Sequence, residues 1–185
     1  MKIYVASSWR NERQPIVVAT LRAAGHEVYD FHNPEAGDHG FAWRQITETP
    51  RPWAGELTRE VLAHPIAVRG FGLDHAAMEW ADATVMVLPC GKSAHLELGW
   101  ACGRGKLAFV LYDGPDEPEL TYRETYERGG GIVVDLDELI AALASATVQP
   151  DHVARIAALE AERDGGRVEG ARLALERAAE VCDKA

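Results

Sequence analysis

Five short apolar runs, each followed by a stretch with helical periodicity, constrain this chain more than any other feature of its sequence. Ile3-Tyr4-Val5-Ala6 opens the series. Residues 11–24 then place Val17, Leu21 and Ala24 on one face, and Gly25 ends that helix. His26–Phe31 reads as a second strand, closed by Asn33-Pro34. Strand, helix and strand at this spacing form a βαβ unit, which implies a parallel sheet and a right-handed crossover. Farther on, residues 83–88 read as a fully buried strand stopped by Pro89, 93–104 as a helix, and Lys106–Tyr112 as a strand. A helix over 119–128, the break Gly129-Gly130-Gly131, a last strand at Ile132-Val133-Val134 and a helix over 135–145 complete the pattern. The fold class is therefore α/β. Five parallel strands predict a flavodoxin-like doubly wound sheet, with a ligand at the carboxyl ends of its strands.

Between these regular parts, residues 34–71 read as a long irregular insertion. It holds Gly37, Gly40, Pro50, Pro52 and Pro65, and a segment near 54–63 with helical character. Long insertions of this kind are often functional. After Gly72, Asp74–Ala81 reads as a short helix. Pro150 ends the domain, so the expected division is a domain over 1–148 and a helical tail over 151–185. In the tail Val168, Ala171, Leu175, Ala178 and Cys182 recur at a 3–4 spacing, a narrow apolar face that has to be buried on the domain or on a second subunit.

Charge narrows the partners. With 29 acidic and 19 basic residues the formal net charge is −10. A nucleic-acid polymer or an anionic membrane surface needs a basic face, so neither is expected as a partner. Cys90, Cys102 and Cys182 are too widely spaced for a CxxC pair, which predicts reduced thiols and a cytoplasmic protein. No signal-peptide pattern and no 18-residue apolar run is found.

The chemistry gathers around residues 89–100. Pro89-Cys90-Gly91-Lys92-Ser93 ends like a phosphate-binding loop, but Met86 stands where the full pattern needs its first glycine. What survives is a tight turn feeding a helix N-terminus, which binds anions through free N–H groups. Ser93 and Glu97 share a helix face. Glu97 lies in the first turns, where the helix dipole is expected to favour its charged, nucleophilic form. Packing alone would make Glu97 a surface helix residue, but the mid-helix Gly99 beside it points to a close approach. Asp74 is either an N-cap or an acid for a leaving group, and the acid role needs desolvation strong enough to outweigh a dipole. His75 and Glu79 sit at i, i+4 without a third ligand, so no metal or other cofactor is expected. Ser93 and His95, two apart on a helix, point away from each other and form no hydrolase pair. Ser7 and Trp9, just past the first strand, are candidate substrate-binding residues with Gly91 and Ser93. Trp43 and Trp53 either border a base pocket by stacking or seal the core.

Ile3-Tyr4 followed by Trp9, the segment Asp74–Asp82, and Glu97-Leu98-Gly99-Trp100-Ala101 followed by Gly105-Lys106 together carry a resemblance. Over about residues 1–145 the chain resembles the nucleoside 2-deoxyribosyltransferase family and related nucleotide N-glycosidases. The resemblance implies a glutamate nucleophile at Glu97, a tyrosine at Tyr4 that orients it, and an aspartate at Asp74 that handles the base. It implies a covalent glycosyl-enzyme and retention of configuration, with a (deoxy)nucleoside or nucleotide as substrate. It also implies a homodimer or larger assembly. Two positions depart from the family pattern. Gly91 stands where the transferases carry an aspartate that holds the sugar hydroxyls, and Ser93 fits the nucleotide-hydrolysing relatives, in which serine and backbone N–H groups hold a 5′-phosphate. Glu119 stands near where transferases offer an asparagine to a neighbouring subunit. The alternatives are a TIR-like NAD glycohydrolase and a nucleotide-binding sensor without turnover.

Overall fold

The computed structural model describes residues 1–46, 55–112, 114 and 117–148. Trp53 and the expected tail over 151–185 lie outside the described residues. The chain divides into two units, Met1–Ala144 and Ser145–Ala185. Of the second, only residues 145–148 are described, and they are helical.

Strand β1 (Lys2–Ala6) leads into α1 (Gln14–Ala23) and β2 (Glu27–Tyr29). Val17, Val18 and Leu21 bury one face of α1. Gly25, at φ +88°, turns the chain just past its end, in a left-handed conformation that glycine adopts without steric cost. A 3₁₀ turn at Trp43–Gln45 precedes α2 (Gly55–Leu62) and α3 (Pro65–Trp80). Then follow β3 (Ala83–Val87), α4 (Lys92–Gly103) and β4 (Leu107–Leu111). A 3₁₀ turn at Leu120–Tyr122 runs into α5 (Arg123–Glu127), and β5 (Gly131–Val133) and α6 (Leu136–Val148) close the order.

All strand pairs are parallel, in the order β2-β1-β3-β4-β5. This is the expected flavodoxin-like sheet. Strands β3 and β4 are buried along their whole length, as parallel strands covered on both faces must be. On one face Tyr4, Ala6, Met86, Ala108 and Val110 form a core with Ala77 and Met78 of α3, Ala94, Leu98 and Cys102 of α4, and Tyr122. The pleat turns Ile3, Val5, Val85, Val87, Phe109 and Leu111 to the other face, and all six are buried.

Two expectations are corrected. The segment 34–71 is not irregular to its end, because the first half of α3 occupies it, while α2 matches the helical segment expected near 54–63. Asp74 does not open a helix, because α3 already begins at Pro65, behind the N-cap His64. Proline is favoured at a first helical position, where its missing N–H costs nothing. Read as a breaker, Pro65 hides the true start of α3. Among the described residues no helix is long and apolar enough to cross a membrane.

Candidate active site

The order β2-β1-β3 reverses direction between β1 and β3, which opens a crevice at the carboxyl ends of those strands. Side chains from β1, β2, α3 and α4 meet there. Tyr4 on β1 is buried and lies in register with Tyr29 on β2. Register partners present side chains to the same face, and the two rings stack with centroids 5.6 Å apart and planes 12° from parallel. The Tyr29 hydroxyl donates to Asp74 Oδ1 at 2.9 Å, from β2 across to α3. The Tyr4 hydroxyl faces Glu97 of α4 as a hydrogen-bond donor. Two carboxyl groups are thus served by two stacked phenols.

Electrostatics marks this cluster. Glu97 is raised from 4.5 to about 7, first by burial and then by the negative charge of Asp74, against the opposing hydrogen bond from Tyr4. Asp74 is also raised by burial, with the Tyr29 hydrogen bond opposing. Tyr4 is held well above the usual phenol range by burial and then by Glu97 and Asp74, so it stays a donor. The expectation that the helix dipole keeps Glu97 charged is therefore corrected. A carboxyl group raised from 4.5 to about 7 has lost roughly 3 kcal/mol of preference for its charged form. A dipole contributes only about 0.3–1 kcal/mol at such a position. Desolvation wins, and burial disfavours the charged form of both carboxyl groups.

The loop between β3 and α4 forms one wall. Ser7 Oγ donates to Val87 O at 2.9 Å and accepts from Asn11 Nδ2 at 3.0 Å. The same Asn11 amide also lies 3.2 Å from Val87 O and 3.1 Å from Pro89 O. Ser7 and buried Asn11 thereby stitch the end of β1 to the loop that follows β3. Gly91 is the N-cap of α4 and supplies no side-chain cap, and no acidic residue occupies the first turn. The leading N–H groups of α4 carry no cap beside exposed Lys92 and Ser93, which keeps this end suited to an anion.

A cleft adjoins Asp74 on its other side. Tyr29, Phe31, Phe41, Gln45, Arg69 and Asp74 are among its walls. Arg69 is held there by Asp38 at 2.7 Å and Glu35 at 3.1 Å. Trp43 stands edge-on to Phe41, with centroids 4.8 Å apart, and is 40% exposed. Trp9 packs on Phe31 and His32 at 5.3 and 4.3 Å. Both tryptophans therefore touch aromatic residues at the β2 end of the site. His75 and Glu79 have other contacts: the His75 ring lies edge-on to Trp100 at 5.6 Å, and Glu79 pairs with Arg104 at 3.1 Å.

No protein-family model matches the chain, and no curated protein matches it. Among solved structures, it is similar to a 2-deoxyribosyltransferase from the psychrotolerant bacterium Bacillus psychrosaccharolyticus. Identity is 22%, the match covers 76% of this chain and 90% of that one, and the TM-score is 0.47. It is also similar to a CMP N-glycosidase from Clostridium botulinum, with 15% identity, 78% and 99% coverage and a TM-score of 0.46. At these identities and TM-scores, what the site does rests on its own residues.

Sequence reasoning missed Tyr29 and Asn11, and named Lys106 only within the Gly105-Lys106 piece of the resemblance. Lys106 Nζ donates to the carbonyls of Met78, Glu79 and Ala81 at 2.8, 2.8 and 2.5 Å, which fixes the C-terminal end of α3. Tyr29 carries a weak signal, since a tyrosine ending β2 falls level with Tyr4 once the βαβ register is drawn. Asn11 acts across a gap of 76 residues, which no local pattern announces, and the Gly105-Lys106 piece gives no sign of the partner Lys106 finds 28 residues away.

Proposed function

We propose that the protein cleaves or transfers the N-glycosidic bond of a (deoxy)nucleoside or nucleotide through a covalent glycosyl-Glu97 intermediate. The observation that carries this reading is the pairing of two partly desolvated carboxyl groups, Glu97 and Asp74, each served by its own phenol at one end of the sheet. Such a pair separates into a nucleophile and an acid when one proton is shared between them. Glu97, ionised and oriented by Tyr4, attacks C1′ and forms a C–O ester bond. The C1′–N bond breaks, its electron pair leaves with the base, and Asp74 supplies the proton. Water or a second base, giving its proton to the Asp74 carboxylate, then attacks C1′ from the face opposite Glu97, the C–O bond breaks with its electron pair returning to the Glu97 carboxylate, and configuration is retained.

The resemblance of Glu97-Leu98-Gly99-Trp100-Ala101 to the family motif supports the same roles. The uncapped start of α4, with Gly91 and Ser93, supports a grip on the 5′ end of the substrate and favours a 5′-phosphate there. The cleft beside Asp74, walled by Phe31 and Phe41, supports a site for the base. Ser7 keeps its place through its bonds at the strand ends. Trp9 and Trp43 border the base side through their aromatic neighbours.

The test is a panel of deoxynucleosides, deoxynucleoside 5′-monophosphates and NAD, scored by chromatography for free base. Release from a deoxynucleoside or its monophosphate is expected. Release from NAD alone would replace this reading with dinucleotide cleavage, and tight binding without release would make the protein a sensor.

A further inference from the structure

We infer that His95 is a positioning residue for the substrate-gripping loop that joins β3 to α4, an inference that rests on the proposed N-glycosidic activity. His95 Nδ1 lies 3.0 Å from the Gly91 carbonyl oxygen, which can only accept, so Nδ1 carries the hydrogen. The same nitrogen lies 3.7 Å from Cys90 Sγ. On the far side of the ring, Nε2 shares a hydrogen bond with Tyr122 Oη at 3.0 Å. The two rings stack at 5.9 Å and 20°, and Tyr122 is buried at 5% exposure. The imidazole therefore spans from a fixed point in the core to the N-cap carbonyl of α4.

At Gly91 the imidazole adds a side-chain bond to a carbonyl that, as the N-cap carbonyl, also accepts the first intrahelical bond of α4. Gly91 has no side chain, and α4 gains no side-chain cap from it. The peptide it anchors leads directly to Lys92 and Ser93, and Glu97 lies half a turn beyond His95 on the same helix. Holding the Gly91 carbonyl fixes the peptide that opens the first turn of α4, next to Lys92 and Ser93. His95 touches no reacting atom in this account. It acts on affinity for the 5′ end of the substrate and leaves the chemistry at Glu97 unchanged.

The side-chain amides of asparagine and glutamine divide the two halves of the imidazole. His95→Asn can place a donor where Nδ1 stands, and His95→Gln can place one where Nε2 stands. With a deoxynucleoside 5′-monophosphate that releases base in the panel, His95→Ala is expected to raise KM about tenfold, with kcat changed less than about twofold. His95→Asn restores KM and His95→Gln does not. If His95→Ala fails to fold, the Asn and Gln variants decide by the same contrast. An unchanged KM in a folded His95→Ala protein, or equal KM values in the Asn and Gln variants, overturns the inference while base release by the unmutated protein keeps the proposed activity standing. Should the unmutated protein release no base, the activity falls, and hydrogen exchange at the amides of residues 95–97 judges the tether. Faster exchange in His95→Gln than in His95→Asn upholds it, and equal exchange overturns it.

Discussion

The Tyr29 hydroxyl donates to Asp74 Oδ1 at 2.9 Å while its ring stacks on Tyr4, the residue that faces Glu97. One phenol thereby favours the charged form of Asp74, against the burial that disfavours it. Tyr29→Phe removes the donor and keeps the stack. Asp74 then binds its proton more tightly, and its diminished charge lets Glu97 ionise more easily. The acid limb of a kcat/KM profile, set by Glu97 at about 7, is expected to move to lower pH. A limb that stays in place would show that Tyr29 has no hold on the pair.

Asp74→Asn removes the second carboxyl group outright. Glu97 loses the charge that helps to raise it, so the same acid limb should also fall below about 7. The variant cannot donate a proton as an acid does. Bases that leave poorly should slow by about 10²–10⁴, and activated bases by much less. Equal slowing of both classes in steady-state assays would assign Asp74 to structure alone.

Glu97 also links stability to pH. Its folded-state value of about 7 lies above the ordinary 4.5, so the folded state binds more protons than the unfolded state between those values. Stability from this group is intact below about 4.5 and is lost as pH rises through about 7. Glu97→Gln is free of that loss. Urea unfolding should find the variant more stable than the unmutated protein by about 1–3 kcal/mol at pH 8, with the difference closing toward pH 4. A difference that does not change with pH would place Glu97 in a solvated setting.

Lys106 offers a test far from the chemistry. Its ammonium satisfies three carbonyls at the C-terminal end of α3, the helix that carries Asp74. Lys106→Met leaves those groups without the cation and should cost about 2 kcal/mol in denaturant unfolding. A loss below about 0.5 kcal/mol would mean that solvent replaces the cap.

The alternation of apolar runs and helical stretches made the sheet legible, because buried parallel strands leave continuous hydrophobic runs in a sequence. The start of α3 was not legible. Pro65 and Gly72 read as breakers, yet both belong to one continuous helix, as does Gly70. Gly70 has a tertiary reason: a Cβ there would stand 2.8 Å from Phe41 Cβ, so glycine lets the cleft wall lie against the helix. Within the site, Tyr4, Asp74 and Glu97 were legible through local motifs, and the structure brings them together. The protonation of Glu97 was misread, because the dipole of a helix can be read from position in the sequence while desolvation depends on what the fold packs around a side chain. Tyr29, Asn11 and His95 owe their roles to strand register and to distant partners, which a linear pattern does not display.

The proposed bond between Glu97 and the sugar can be caught directly, in protein quenched in acid during turnover of a deoxynucleoside or its monophosphate, digested and examined by mass spectrometry. A sugar adduct is expected on the peptide that carries Glu97, absent from a folded Glu97→Ala variant that also releases no base. A Glu97→Ala protein that keeps its fold and still releases base at the unmutated rate, with no adduct in either protein, would contradict it.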